Sequence, residues 1–346
     1  MAQANKLPGV ADATDKHSGA VGSKPFFSSE NSFFWLLPGI GLMLLYALFP
    51  LLYNLWISFR EWDLMGKEFD PVYGEGLPFF GENWKTIWDS TIAGPLNINS
   101  LLSNGELTNN LALALDPRLQ NSLVITFQYV LIALTFQLVL GFIIALLLDA
   151  DPWGKGLMQS LMILPMVIAP AIAGMIFRLL LHSELGGVQW MLYQVGITSQ
   201  AEPLMGGSGQ YALAALLIVD IWQWTPFFVI ILLAGLKGLP QEVMEAASVD
   251  GANFFQRLFR IKIPLLRGVL LIAVLFRLID LYRVYDYVHI MTSGGPAGAT
   301  ETISYYNAIQ TFNQLEWGYG AAISVTILLI AWLSALIYQR AFRISW

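Results

Sequence analysis

The sequence predicts an all-α membrane protein with six membrane-spanning helices, on three observations. Of 346 residues, 56% are hydrophobic and only 12% charged, about half the charged share of a soluble domain. The apolar residues gather into six long runs separated by short polar breaks, and roughly 20 helical residues at about 1.5 Å each cross a hydrocarbon core of about 30 Å. The basic residues are distributed unevenly between alternate loops, as they are when a chain is threaded through a bilayer. The composition also excludes other classes. With 18 Lys+Arg against 24 Asp+Glu there is no basic field to hold a nucleic acid. The absence of cysteine, with only His17, His182 and His289, removes disulfide, thiolate-metal and cluster chemistry, and no metal site is expected.

The first run is Phe33–Trp56, within residues 33–56, and it follows a polar segment 1–32 expected to be a disordered cytoplasmic tail. The length of that tail and of the run behind it argues against a cleaved signal peptide. Residues 57–122 form a long external loop or cap, with Gly74, Gly76, Pro78 and Gly81 marking turns. The core transmembrane domain, 123–346, holds Leu123–Leu148, Leu157–Leu181, Tyr211–Leu236, Leu265–Met291 and Gly320–Tyr338. Prolines within the runs (Pro38, Pro165, Pro170, Pro226) imply a packed bundle whose neighbouring helices re-satisfy the freed carbonyls. Gly187–Val195 reads equally as a short interfacial helix or an ordinary loop.

Orientation follows from the basic residues. A cytoplasmic N-terminus puts Lys155, Lys237, Arg257, Arg260, Lys262, Arg267, Arg340 and Arg343 inside, whereas outer loops 182–210 and 292–319 hold no Lys or Arg. Both termini are expected in the cytoplasm.

The cytoplasmic segment 237–264 is longer than a connection between two antiparallel helices needs. Pro240, Gln241 and Glu242 suit a helix start, Met244–Val249 continues it and Gly251 can end it; a second short helix, Asn253 to Lys262, leads back to the membrane. Ala246, Ala247 and Ser248 leave a smooth face beside Glu245, which suits either docking in a partner's groove or lying on anionic lipid through Arg257, Arg260 and Lys262.

Glu245-Ala246-Ala247, then Gly251, Ile261, Ile263 and Pro264, resembles the EAA loop of permease subunits in binding-protein-dependent ABC importers, with Ile263 where Leu is usual. Leu239-Pro240, Val249-Asp250-Gly251-Ala252, Ile163-Leu164-Pro165 and Thr292-Ser293-Gly294-Gly295-Pro296 are similar to the maltose-type, carbohydrate-uptake branch. The resemblance covers residues 33–60 and 120–346 and implies the six-helix importer permease fold with a cytoplasmic coupling helix. It further implies a second permease subunit, two copies of a cytoplasmic ATP-binding subunit, an extracytoplasmic substrate-binding protein and a sugar or sugar-like substrate. In that picture Glu245 meets the ATPase electrostatically, Ala246 and Ala247 pack against it, and Gly251 makes the turn. The chain carries no phosphate-binding G-x-x-x-x-G-K-[ST] loop; it is not expected to be an enzyme, and ATP is expected on partner subunits.

Polar residues inside the runs are the default site candidates, because lipid makes them expensive. Asp220, Gln223, Trp224 and Phe227 flank Pro226 in the fourth run and offer acceptors, donors and an aromatic face for a hydroxyl-rich ligand; the bland alternative is helix–helix contact. In the fifth run Arg277, Asp280, Arg283 and Asp286 recur at steps of three, as an internal ion-pair ladder or as a wetted path with Tyr282 and Tyr285 toward substrate. Arg178 is expected to snorkel to the interface. Tyr305, Tyr306, Phe312 and Trp317 are expected to present an aromatic outer surface to a binding protein or to the partner permease, an ordinary amphipathic helix being the equal alternative. The rival from another class is an ion-coupled secondary transporter using Asp220, Asp280 and Asp286.

Overall fold

A computed structural model describes residues 32–58, 116–197, 204–205, 209 and 211–342. The expected tail, and nearly all of the expected external cap, lie outside the described residues. Contacts divide the chain into two units at Tyr53–Asn54. Every regular element among the described residues is helical. In the first part, α1 (Ser32–Met43) passes through a π turn at Leu44–Leu48 into α2 (Phe49–Ser58), and Leu36–Ser58 is long and apolar enough to cross a membrane.

The second unit takes in the end of α2 from Asn54 and, in its next described part, α3 (Pro117–Asp149). The side chain of Asp116 accepts from the backbone N–H groups of Arg118 and Leu119, and Pro117 supplies the preset first turn. The helix therefore starts ahead of the expected Leu123. Its 33 residues span about 50 Å, well beyond a hydrocarbon core.

The third apolar run is not one helix. It folds as α4 (Lys155–Val167) and α5 (Pro170–Leu180), bent by 97° at Ile168–Ala169. The Pro170 ring forces Ala169 out of the helical region, to ψ 136°. The carbonyl freed at Ile168 is taken by the Gln223 side-chain amide at 2.5 Å, so a neighbouring helix supports the break rather than healing it. Residues Gly187–Gln194 are helical, as α6.

Helix α7 (Ala212–Lys237) contains Pro226 and packs along α3. A Cβ on Gly141 would stand 2.4 Å from the Phe228 Cβ, so the close approach of these helices requires glycine there. The cytoplasmic segment forms α8 (Gln241–Val249) and α9 (Phe254–Arg257). In contrast to a separate second helix, α9 runs through a π turn at Leu258–Lys262 into α10 (Ile263–Leu281) without interruption.

The fifth run is also broken. Helix α10 ends at Leu281, and the chain passes through irregular backbone at Tyr282–Tyr285 to a π turn at Val288–Thr292. Arg283 and Asp286 thus fall beyond the helix, and the expected four-charge ladder stops at Asp280. A short α11 (Ile303–Ala308), capped by the Thr302 hydroxyl, leads through a π turn at Ile309–Asn313 to α12 (Trp317–Ala341). Four described helices are long and apolar enough to span a bilayer, or five if the bent pair is one span. At 19 residues, about 28 Å, α10 is long enough but carries Arg267, Arg277 and Asp280.

Apolar packing forms three clusters: Tyr129, Leu216, Leu281 and Val288; Ala145, Phe228, Leu232 and Leu266; and Leu119, Ile303, Tyr306 and Ile323. Hydroxyls on Ser122, Thr126, Thr135, Thr225 and Thr326 donate to carbonyls four residues back, which satisfies them without water. Leu131, Val139, Leu161, Met175 and Trp332 point outward as apolar surface, which suits lipid.

Gly141→Leu should force α3 and α7 apart and lower stability by about 1–3 kcal/mol. Gly268→Ala, with nothing within 4 Å of its new Cβ, should leave the unfolding temperature unchanged or slightly raised. Thermal unfolding of the two purified variants in detergent checks both.

Candidate functional site: a charged cavity and a cytoplasmic coupling segment

Arg277 sits on α10 with 2% of its surface exposed. Such a cation is tolerable in an apolar bundle only if every face of the guanidinium is answered. Nη2 donates to Asp220 Oδ1 at 2.5 Å, Nε donates to Gln137 Oε1 at 3.0 Å, and Nη1 bonds Asp280 one turn further along α10. The guanidinium carbon lies 4.6 Å from the centre of the Trp224 ring, in cation–π geometry. Gln137 completes the set by donating to both the Asp220 carboxylate, at 2.9 Å, and its backbone carbonyl, at 3.1 Å. One side chain thereby joins α3, α7 and α10. Gln137 was missed in the sequence, although an amide deep in the apolar run Leu123–Leu148, which holds only one other, Gln128, was the available signal.

Beside this network opens a cavity of about 80 Å³, lined on one side by Asp220, Trp224, Arg277 and Asp280 and on the other by the irregular stretch from Arg283 to Tyr287. Of the six expected path residues, Asp220, Trp224 and Asp280 line it. The other three do not. Gln223 is buried, bonded to Ile168 O and to the Tyr287 hydroxyl at 2.6 Å. Phe227 stacks on Phe276 at 5.5 Å. Tyr282 turns to α12 and shares a hydrogen bond with Ser334 at 2.9 Å, while its neighbour Tyr285 lines the cavity.

Arg178, exposed in the last turn of α5, donates through Nη1 to the Ile290 carbonyl at 2.8 Å, on the π turn after the fifth-run break. One other expectation is corrected here. Tyr305 and Tyr306 are buried and Trp317 is half-buried, leaving Phe312 as the exposed ring among the four. The Tyr306 and Tyr319 hydroxyls donate to the Asp116 carboxylate, and Arg118 grips the buried Glu301 through Nε at 2.9 and 3.0 Å. These bonds tie the start of α3 to the segment before α12.

On the cytoplasmic loop, Gly251 has φ +72°, with nothing near the place of a Cβ, so backbone conformation rather than crowding calls for glycine. The Ala252 N–H returns to the Ala247 carbonyl at 2.9 Å, and Asn253 and Gln256 form a reciprocal cap on α9. Glu245 and Ala246 are exposed. Ala247 is buried within the chain itself, so its packing is intramolecular and Ala246 alone of the pair faces outward. Beside them Phe254 and Phe255 are exposed, edge to face at 5.5 Å.

Residues 137–344 match the family model described as the inner membrane component of binding-protein-dependent transport systems. The chain is 32% identical over 308 residues to a probable ABC transporter permease of Sinorhizobium fredii, covering 89% of this chain and 88% of that one. It is 33% identical over 219 residues to the trehalose/maltose transport system permease MalF of Thermococcus litoralis, covering 63% and 73%. A crystal structure of a bacterial ABC transporter that imports the acidic polysaccharide alginate superposes with a TM-score of 0.65 at 18% identity, over 91% of this chain and 96% of that one. The fold, a multi-pass helical bundle, is that of an importer permease. The chain belongs to the family of inner membrane components of binding-protein-dependent transport systems, and is a permease of the ABC type. That family gives no support to the ion-coupled alternative, and both carboxylate oxygens of Asp220 are already engaged by Arg277 and Gln137.

Arg277→Met leaves Asp220 as an uncompensated buried charge and should cost about 3–5 kcal/mol. Adding Asp220→Asn should restore most of that loss, because Gln137 keeps an acceptor. Thermal unfolding of single and double variants in detergent measures the recovery; equal loss in both would mean that shape, not charge, is what Arg277 supplies.

Proposed function

We propose that this chain is one of two membrane subunits of an ATP-driven importer that moves a sugar or sugar-like solute, a di- or oligosaccharide or glycoside, across the cytoplasmic membrane. The observation that carries it is the exposed Glu245-Ala246 face on α8, held by the Gly251 turn and set between two membrane-returning helices. A small-sided helix whose only charges are the acidic Glu242 and Glu245 suits a groove on a cytoplasmic ATPase. The two ATPase copies supply the energy, a second permease completes the pathway, and an extracytoplasmic binding protein delivers the solute. Both termini lie in the cytoplasm, in keeping with the basic residues of loops 150–156 and 237–264.

The sugar reading draws on the substrates named for the trehalose/maltose permease and the alginate importer. It draws also on the cavity, where Trp224 and Tyr285 present rings beside the carboxylate of Asp280 and the guanidiniums of Arg277 and Arg283. Hydroxyls donate to the carboxylates and accept from the arginines, while apolar ring faces of a sugar lie on the aromatics. Transmission to this cavity is rigid-body movement of the helices around it when the ATPases close.

Pull-down from native membranes in mild detergent should bring an ATPase with the wild-type chain, and Glu245→Lys should lower the recovered ATP hydrolysis about tenfold. Trp224→Ala should leave ATPase recovery intact and lower sugar uptake about tenfold. A wild-type chain that comes down alone, and transports in vesicles on an ion gradient without ATP, would overturn the reading.

A further inference from the structure

The cytoplasmic ends of four helical segments meet in one cluster of charges. Asp149 closes α3, Asp151 follows in the turn, Lys155 opens α4, Lys237 closes α7, and Lys262 closes the π turn that precedes α10. Lys262 Nζ lies 2.9 Å from Asp149 Oδ2. Lys237 Nζ lies 3.4 Å from Asp149 Oδ1 and 3.3 Å from Asp151 Oδ2, and also donates to the Asp149 carbonyl at 3.2 Å. Lys155 pairs with Asp151. The Lys155 hydrogen bond, followed by that of Lys237, holds the Asp151 carboxyl below the usual carboxylate range, so it remains ionised at neutral pH.

Lys237 and Lys262 bracket the coupling segment: one is the last residue of the helix that enters it, the other the last of the π turn that leaves it. Both ends are therefore fastened to the same turn between α3 and α4. Single exposed ion pairs contribute little. The Asp149–Lys262 pair is different, with side chains only 18% and 20% exposed and Asp149 answered by a second lysine. Helix α3 in turn lies in close contact with α7 at Gly141, and it carries Gln137, 12 residues or about 18 Å from Asp149, into the Arg277 network.

We propose that Asp149 and Lys262, supported by Lys237, are positioning residues. They fix both ends of the coupling segment to the α3–α4 turn, so that displacement of α8 is passed to α3 and along it to the charged cavity. The proposal rests on the ATP-driven reading above. It assigns to the pair transmission of movement, not ATPase binding and not contact with solute.

The test uses the complete transporter, this chain with its partner subunits and binding protein, reconstituted in proteoliposomes. The readout is solute delivered per ATP hydrolysed, with ATPase retention measured alongside. Asp149→Lys and Lys262→Asp should each keep the ATPase and lower the transport-to-hydrolysis ratio about fivefold. The exchanged pair, Asp149→Lys with Lys262→Asp, should recover about half or more of the loss. Asp149→Asn, which keeps the shape and removes the charge, should also keep the ATPase and lower the ratio, by less than the reversal does. An unchanged ratio in the single variants, loss of the ATPase from them, or no recovery in the exchanged pair would each overturn the proposal. If the wild-type complex itself holds no ATPase and shows no ATP-dependent uptake, the underlying reading falls and this one with it, so the two failures are told apart on the wild type.

Discussion

A guanidinium that cannot lose its proton, placed where there is almost no water, sets the terms for the centre of this bundle. Arg277 must meet carboxylates and an amide wherever it points, and the partners it meets belong to three helices: Gln137 on α3, Asp220 on α7, and Asp280 on its own helix. The cost of leaving any one contact unmade is high in a low dielectric. The three helices are therefore held at one register, and the cavity wall they share is defined at the level of single atoms.

The same scarcity of water explains the irregular backbone. Two of the apolar runs are broken, at Ile168–Ala169 and at Tyr282–Tyr285, and both breaks adjoin the cavity, where Pro170 and Val284 are among its walls. Non-helical backbone at membrane depth persists only where protein or a wet cavity can satisfy it. Here Gln223, Arg178 and the cavity provide for it, and the rest of the bundle can remain regular.

Much of this was legible in the sequence, because hydrophobic runs of bilayer length and the asymmetry of basic residues report the bilayer directly. The coupling segment was legible too, since Pro240, Gly251 and the small residues between them carry their own local rules. The breaks were not. A hydropathy run registers side-chain polarity and is blind to a backbone turn inside it, so Leu157–Leu181 read as one helix although Pro170 lay in plain view. The fifth-run ladder failed for a related reason: spacing by three presumes that the helix continues, and it stops at Leu281. Arg277 found its main partner on another helix, a pairing that no local period encodes. Asp116-Pro117 was an available start signal for α3 that the apolar run beginning at Leu123 overshadowed.

The Gln223 amide donates to Ile168 O at the break in the third run and accepts from Tyr287 beyond the break in the fifth. A single residue thus stitches together two distant irregularities. Neither can be altered without consequence for the other: straightening the chain at Pro170 would strand Gln223, and replacing Gln223 would orphan both a carbonyl and a tyrosine. Pro170, Gln223 and Tyr287 therefore act as one energetic unit, in which the effect of changing any one depends on the state of the other two.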